Sequence, residues 1–100
     1  MIELFIETHT YNVPENRIDR YLDIQRGVRK IYFRYGCLGY EVFKGANDHW
    51  LEINKYKDRE HYENVKNSVD LDPEIEVLWN ELCSIVEKEK IITRKYYQAL

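Results

Sequence analysis

Apolar and polar side chains alternate over the first twelve residues of the chain. Ile2, Leu4 and Ile6 fall on one side of this segment, while Glu3, Phe5, Glu7, His9 and Tyr11 fall on the other. A period of two is the pattern of a β-strand with one face against a core. Similar stretches rich in β-branched and aromatic residues predict further strands over 37–44, 49–56 and 90–97.

Apolar residues at helical spacing predict helices between these strands. Pro14 is expected to open the first helix, because the first turn does not need the amide that proline lacks. Gly36 is suited to end it, since glycine readily adopts the left-handed conformation found beyond a last helical turn. Asp58 is expected to cap a second helix that breaks near residue 70. Asp72 is expected to cap a further helix with Pro73 at its first position.

The order of these elements defines the predicted fold. The sequence β-α-β-β-α-β is the split βαβ pattern of ferredoxin-like α+β domains. Such a domain has an antiparallel sheet with helices on one face only, which leaves the other face uncovered. A chain of 100 residues with 44% hydrophobic and 14% aromatic residues has the length and composition of a single folded domain over 1–100.

The turn between the second and third strands decides which side chains share a face. Gly45-Ala-Asn-Asp48 suits a tight hairpin turn. A turn of two or four residues pairs Lys44 with His49 and Val42 with Leu51, whereas a three-residue turn would reverse one strand. The even-numbered turn predicts a helix-facing apolar layer of Ile2, Leu4, Ile6, Leu38, Tyr40, Val42, Leu51 and Ile53. It places on the uncovered face Glu3, Phe5, Glu7, His9, Tyr11, Glu41, Phe43, Trp50, Glu52, Asn54 and Tyr56.

This predicted uncovered face is too aromatic for a plain solvent surface and too acidic for a dry core. Large aromatic residues left exposed on a sheet usually mark an interface or a ligand groove. A short chain also gains buried surface by oligomerising. We therefore expect a homodimer packed sheet to sheet, enclosing a cavity that tolerates polar groups.

Charge and cysteine content narrow the class of partner. The net charge of −3 argues against a nucleic-acid binder, and no apolar stretch approaches the ~20 residues that span a bilayer. Residues 14–34 carry six basic and three acidic side chains, while residues 58–89 carry three basic and ten acidic ones. The basic and acidic helices are expected to attract each other or a partner subunit. Because Cys37 and Cys83 lack redox or zinc spacing and no signal peptide opens the chain, we expect a cytoplasmic location.

Two segments resemble a known group of small proteins. The opening ELFIETHTYNVPEN and the strand-to-helix step LEINKYKDREHYENV are similar to the dimeric α+β barrel superfamily. This group includes antibiotic-biosynthesis monooxygenase-like and NIPSNAP-type proteins. The resemblance covers nearly the whole chain and is one of pattern, carried by Pro14, Trp50, Tyr56 and the helix start Asp58-Arg59-Glu60.

The resemblance implies a homodimer with one ligand cavity per protomer. Members of the group include cofactor-free monooxygenases, isomerases, haem-handling enzymes and ligand-sensing domains, so the fold does not select a reaction. In the monooxygenase-like members, Asn, Trp, Tyr and Arg side chains of the cavity bind and activate a phenolic substrate. The resemblance suggests Asn54, Trp50, Tyr56 and Arg94 as their counterparts, matched by strand and face.

The residues themselves offer one candidate for acid–base chemistry. Glu7 and His9 project from the same side of the first strand, and a carboxylate beside an imidazole can raise its pKa. The alternative is a strand-end histidine with a structural hydrogen bond. Glu7, Glu41 and Glu52 are expected to converge, where they would line a polar seam or, with His9, hold a hard metal ion. No ligand spacing indicates a metal.

The predicted function follows from this mixed aromatic and ionisable face. We expect a small aromatic or carbonyl-bearing molecule to bind between the sheet and the helices or at the dimer seam. Phe5, Phe43, Trp50 and Tyr56 would stack on it, Asn54 and Arg94 would orient its polar groups, and His9 with Glu7 would be catalytic. No cofactor motif is present, so a cofactor-free monooxygenase-like or isomerase-like enzyme is one prediction. A non-catalytic binding module or a structural oligomerisation module is the alternative.

Overall fold

The structure is a computed structural model that describes residues 4–100. Over this range it contains one four-stranded antiparallel sheet with the order β2-β3-β1-β4. The strands are β1 (Phe5–Asn12), β2 (Gly39–Lys44), β3 (His49–Tyr56) and β4 (Ile92–Tyr97). The helices are α1 (Ile18–Arg34), α2 (Arg59–Leu71) and α3 (Pro73–Cys83), with short 3-10 turns at Glu15–Arg17 and Lys88–Lys90. The predicted ferredoxin-like α+β architecture is confirmed.

The helix boundaries follow the capping signals in the sequence. The Asp58 carboxylate accepts a hydrogen bond from the His61 amide at 2.7 Å and caps α2. Asp72 accepts one from the Glu74 amide at 2.9 Å and caps α3. Gly36, just beyond α1, has a φ of 102°, which a side chain would strain. The predicted stops and starts are confirmed at these positions.

Asp72 also ties α3 to the end of α1. Its second carboxylate oxygen accepts hydrogen bonds from the Arg34 guanidinium at 2.9 Å and from the Tyr35 hydroxyl at 2.8 Å. The hydrogen bonds from the Glu74 amide and from Tyr35 and Arg34 hold the pKa of Asp72 below its usual value. One side chain therefore caps α3 and fixes its position over the sheet.

The turn between β2 and β3 differs from the prediction. The Gly45 amide donates to the His49 carbonyl at 2.7 Å, so three residues form the turn. Two of them, Asn47 and Asp48, have positive φ values of 53° and 63°, a conformation that Asn and Asp tolerate better than other side chains. The sequence contained the right residue types, but they build a turn of odd length.

The odd turn shifts the strand pairing by one residue. Lys44 lies opposite Trp50 and Val42 opposite Glu52, so the predicted pairing of Val42 with Leu51 is wrong. Because side chains alternate, this shift moves the whole of β3 to the other face. Trp50 and Glu52 therefore lie under the helices.

The predicted faces of β1 and β3 are accordingly reversed. Residues expected on the uncovered face but buried on the helix side are Phe5, Glu7, Tyr11, Trp50, Glu52, Asn54 and Tyr56. His9 shares their side of β1. Residues expected in the core but only partly buried or exposed are Leu4, Ile6, Leu38, Leu51 and Ile53. Tyr40 and Val42 do face the helices, and Glu41 and Phe43 do lie on the uncovered face, while Ile2 and Glu3 lie outside the described residues.

The physical reason is the chemistry of the core. Tyr21 and Tyr56 are fully buried, and the ring of Tyr21 meets that of Trp50 edge-on at 5.0 Å. Phe5 likewise packs on Tyr62 at 4.8 Å between ring centroids. Large aromatic rings fill this core, and the hydroxyls of Tyr11, Tyr21 and Tyr40 bond to polar groups beside them. The Tyr56 hydroxyl and Trp50 Nε1, however, are buried without a partner among residues 4–100. A count of apolar positions favours the aliphatic side of β1 and β3 and so selects the wrong face for these two strands.

The two tryptophans test this orientation directly. Trp50 is 4% exposed on β3, whereas Trp79 is 41% exposed on α3. We expect Trp50→Ala to lower the free energy of unfolding by about 3–5 kcal/mol, because it empties a buried aromatic site. The matched Trp79→Ala should cost no more than about 1 kcal/mol. Urea denaturation at fixed protein concentration gives both values, and equal or reversed losses would contradict the reversed faces.

Candidate functional site

A cavity of about 700 Å³ lies between the core face of the sheet and the helices. This volume is within the range of small-molecule sites. Its floor includes β1 and β3, its sides come from the helices, and β4 contributes one residue. The lining side chains are Glu7, His9, Tyr11, Val28, Tyr32, Tyr40, Glu52, Lys66, Asp70, Ile75, Glu76, Trp79, Leu82, Lys88, Ile91 and Thr93.

His9 lies between two carboxylates on the floor of this cavity. Its Nε2 atom is 3.2 Å from Glu7 Oε1 and 3.7 Å from Glu52 Oε2. Its Nδ1 atom is 2.8 Å from the hydroxyl of Thr93 on β4. The antiparallel register explains this meeting, because His9 pairs with Glu52 on one side and with Thr93 on the other.

These contacts give the two ring nitrogens different roles. A carboxylate accepts hydrogen bonds, so Nε2 donates to Glu7 and carries a proton. The Thr93 hydroxyl can either donate or accept, so Nδ1 keeps its hydrogen bond whether or not it is protonated. The proton that His9 can gain or lose is therefore the one on Nδ1.

The electrostatics of the pair favour a charged imidazole. Burial alone would lower the pKa of His9, but its hydrogen bond to Glu7 and the charges of Glu52 and Glu7 outweigh burial and raise it above its ordinary value of 6.5. Burial would likewise raise the pKa of Glu7, but hydrogen bonds from His9 and from Tyr62, whose hydroxyl donates at 2.7 Å, lower it. Glu7 and His9 thus stabilise each other's charged form.

Glu52 is held by a separate set of donors. Its Oε1 atom accepts hydrogen bonds from the Gln25 amide and the Tyr40 hydroxyl, each at 3.0 Å, and the Tyr11 hydroxyl lies at 3.4 Å. Its Oε2 atom accepts from Asn54 at 3.1 Å. A carboxylate oxygen can accept more than one hydrogen bond, so Oε2 keeps acceptor capacity on the side of His9.

Sequence reasoning did not assign a site role to Gln25 or the tyrosines around it. Gln25 is 3% exposed and also donates to Tyr11 at 2.8 Å, while Tyr11 bonds to Tyr21. Burial raises the pKa of Tyr11 and Tyr21 far above the ordinary value of 10, so both hydroxyls keep their protons. The signal available in the sequence was Gln25 itself, a polar residue at a position where the helical spacing of α1 predicts a side chain in the core.

The structure brings together only part of the predicted site. Glu7, His9 and Glu52 meet at the cavity. The predicted stacking residues Phe5, Trp50 and Tyr56 are buried in the core, as is Asn54, which reaches the cavity only through its bond to Glu52. Phe43 and Arg94 lie on the uncovered face of the sheet, because they pair with Leu51 and Thr8.

Two further features concern metal binding and membrane insertion. Within residues 4–100, no group of three or more His, Cys, Asp or Glu side chains has an arrangement that could hold a metal ion. No helix in the same range has both the length and the apolar composition needed to cross a bilayer.

Several known structures share this fold, and three of them carry informative names. A NIPSNAP family protein from Agrobacterium tumefaciens superposes with a TM-score of 0.77 at 16% identity, over 99% of this chain and 89% of that one. A putative antibiotic biosynthesis monooxygenase from Nitrosomonas europaea gives 0.78 at 10% identity, over 99% and 93%. SnoaB, a cofactor-independent oxygenase from Streptomyces nogalater, gives 0.75 at 7% identity, over 100% and 96%.

The first two of these neighbours carry the NIPSNAP and antibiotic biosynthesis monooxygenase names that the resemblance pointed to, so the likeness in fold is confirmed. Identities of this size establish the shared fold and leave the reaction open. No protein-family model matches the chain, and no curated protein matches it in sequence. The functional assignment therefore rests on the geometry of the cavity.

The pKa of His9 provides a direct test of that geometry. In Glu7→Gln the strongest partner of the imidazolium is lost while burial remains, so the pKa of His9 should fall by about one unit or more. The wild-type contribution of His9 to stability should be complete below pH 6.5 and vanish as pH rises through the higher folded pKa. Nitrogen-detected NMR of the imidazole measures the pKa. Glu63→Gln, at an exposed position of α2, is the control, and an unchanged pKa in Glu7→Gln would refute the pairing.

Proposed function

We propose that this protein binds a small aromatic or carbonyl-bearing molecule in the helix–sheet cavity and transfers a proton to or from it through His9. The observation that carries the proposal is the imidazole held between Glu7, Glu52 and Thr93 on the floor of a 700 Å³ cavity. A perturbed histidine in a ligand-sized cleft is a typical acid–base arrangement.

The proposed proton transfer occurs at the Nδ1 side of the ring. Glu7 orients the imidazole and stabilises its cation, as the carboxylate partner of a catalytic histidine does. In the base form of His9, Nδ1 accepts a proton from the substrate, directly or through the Thr93 hydroxyl. The same proton can be returned to another atom of the substrate, which is an isomerisation.

A cofactor-free monooxygenase-like reaction starts from the same step. Removing a proton from a phenol or an enolisable carbonyl compound gives an electron-rich anion, and this anion can itself supply electrons to dioxygen. The shared fold with a cofactor-independent oxygenase supports this version of the proposal. The cavity's tyrosine rings provide flat surfaces for an aromatic substrate.

Proton transfer can be tested before the natural substrate is identified. Wild-type protein is incubated in D2O with a panel of phenols and enolisable ketones, and NMR follows the exchange of their carbon-bound hydrogens. We expect His9→Ala to slow exchange by about 10²–10⁴-fold, the usual contribution of a general acid or base. Thr93→Val, which removes the hydroxyl, should also slow exchange, whereas Thr93→Ser, which keeps the hydroxyl, should exchange at about the wild-type rate. If no compound exchanges faster with wild type than with His9→Ala, the protein is a binding module or a structural one.

We also propose that the protein forms a homodimer through the uncovered face of the sheet. The strand register places on this face Ile6, Thr8, Thr10, Glu41, Phe43, Leu51, Ile53, Lys55, Ile92, Arg94 and Tyr96. Phe43, Ile92 and Tyr96 are about half exposed, at 50%, 53% and 46%. Apolar residues are interleaved with threonines on this face, and its charged residues Glu41, Lys55 and Arg94 lie toward the margin, a composition compatible with a self-complementary interface.

A charge placed at the centre of this face should separate the protomers. Leu51→Glu would bury a carboxylate without a partner, so the variant should sediment as a monomer at tens of micromolar protein, where wild type sediments as a dimer. Val77→Glu, on the exposed side of α3 at 58% exposure, is the control and should stay dimeric. A monomeric wild type would remove the dimer and leave the cavity proposal intact.

A further inference from the structure

We infer that the cavity selects small aromatic molecules that carry a protonated amine and rejects those that carry a carboxylate. The inference rests on the proposed binding function and adds the charge of the ligand to it. It follows from where the charged side chains of the cavity lie and how each one is paired.

The floor of the cavity is acidic even when His9 is charged. Glu7 and Glu52 share the single imidazole, so one negative charge remains uncompensated. Both carboxylates are buried, at 3% and 7% exposure, and a charge there is screened weakly by solvent. A cationic ligand would neutralise the remaining charge, while an anionic ligand would add to it.

The lysines that line the cavity do not reverse this balance. Lys66 on α2 forms an ion pair with Asp70 at 2.9 Å, so these two charges cancel. Lys88 belongs to an exposed 3-10 turn, and the negative charge of Glu76 on α3 offsets its positive charge in the total for the lining. The charge of Lys66 reaches the floor, where it acts to lower the pKa of both Glu7 and His9, but Asp70 offsets it. The net charge of the described lining therefore stays negative even with His9 charged.

One carboxylate oxygen of Glu52 could accept a hydrogen bond from the ammonium group of a ligand. Glu52 Oε2 accepts from Asn54 and is 3.7 Å from His9 Nε2, a distance longer than a hydrogen bond, so it can accept a further donor from the cavity. Tyr11, Tyr32 and Tyr40 line the same cavity. Aromatic faces combined with a carboxylate are the usual surroundings of a bound ammonium group.

Three probes that share a phenylethyl group separate ligand charge from ligand shape. They are 2-phenylethylamine, the neutral 2-phenylethanol and the anionic 3-phenylpropanoate, measured against wild-type protein at pH 7 by isothermal titration and ligand-observed NMR. We expect the amine to bind at least about tenfold more tightly than the alcohol, and the carboxylate to bind more weakly than both. If the alcohol or the carboxylate equals the amine, charge selection is overturned while binding in the cavity stands. If none of the three binds, the binding proposal itself fails.

Two variants assign the selection to the acidic floor. Glu52→Gln keeps the size of the side chain and should reduce the amine preference to about threefold or less, with little change in alcohol affinity. His9→Gln removes the competing cation and should tighten amine binding several-fold, although the same change should slow proton transfer as His9→Ala does. An amine affinity that falls in His9→Gln in parallel with alcohol affinity would overturn the charge argument. The wild-type comparison of probes needs neither variant to fold.

Discussion

The length of one hairpin turn determines which residues can form the site. With three residues between Gly45 and His49, β3 turns Trp50, Glu52 and Asn54 toward the helices. A turn one residue shorter or longer would place these groups on the opposite face. Within this turn, Asn47 and Asp48 have positive φ angles, which is the local conformation that accompanies the three-residue length. The core, the cavity floor and the outer face of the sheet all follow from it.

A second constraint is the burial of two carboxylates on the same face. Buried charges without partners cost several kcal/mol, and even paired ones seldom stabilise a fold more than apolar residues of similar size. Here each carboxylate has its own donors: Tyr62 and His9 for Glu7, and Gln25, Tyr40 and Asn54 for Glu52. Apolar residues of similar size at these positions would stabilise the fold at least as well. The position of the two carboxylates at a cavity gives them a chemical reason to be present.

The sequence predicted the fold better than it predicted the site. Helix ends were readable because caps are local: Asp58, Asp72 and Gly36 act on the backbone beside them. The pairing of Glu7 with His9 was readable for the same reason, since residues two apart on a strand share a side. The face on which they lie was not, because the turn GAND is compatible with more than one length. Thr93 was missed because its contact with His9 depends on the pairing of β4 with β1, 84 residues away.

The cavity and the proposed dimer face are two sides of the same strands. Along β1, Ile6 and Thr8 point outward while Glu7 and His9 point inward, so packing on one side restrains side chains on the other. The strand that most needs such restraint is β4, an edge strand whose residues are all exposed in the single chain. It carries Thr93, the partner of His9 Nδ1, on its inner side. In the proposed dimer, Ile92 and Tyr96 would be covered by the second copy, and this would hold Thr93 at hydrogen-bonding distance from the imidazole. A dimer of this kind completes the site by fixing a strand, without contributing a residue to it.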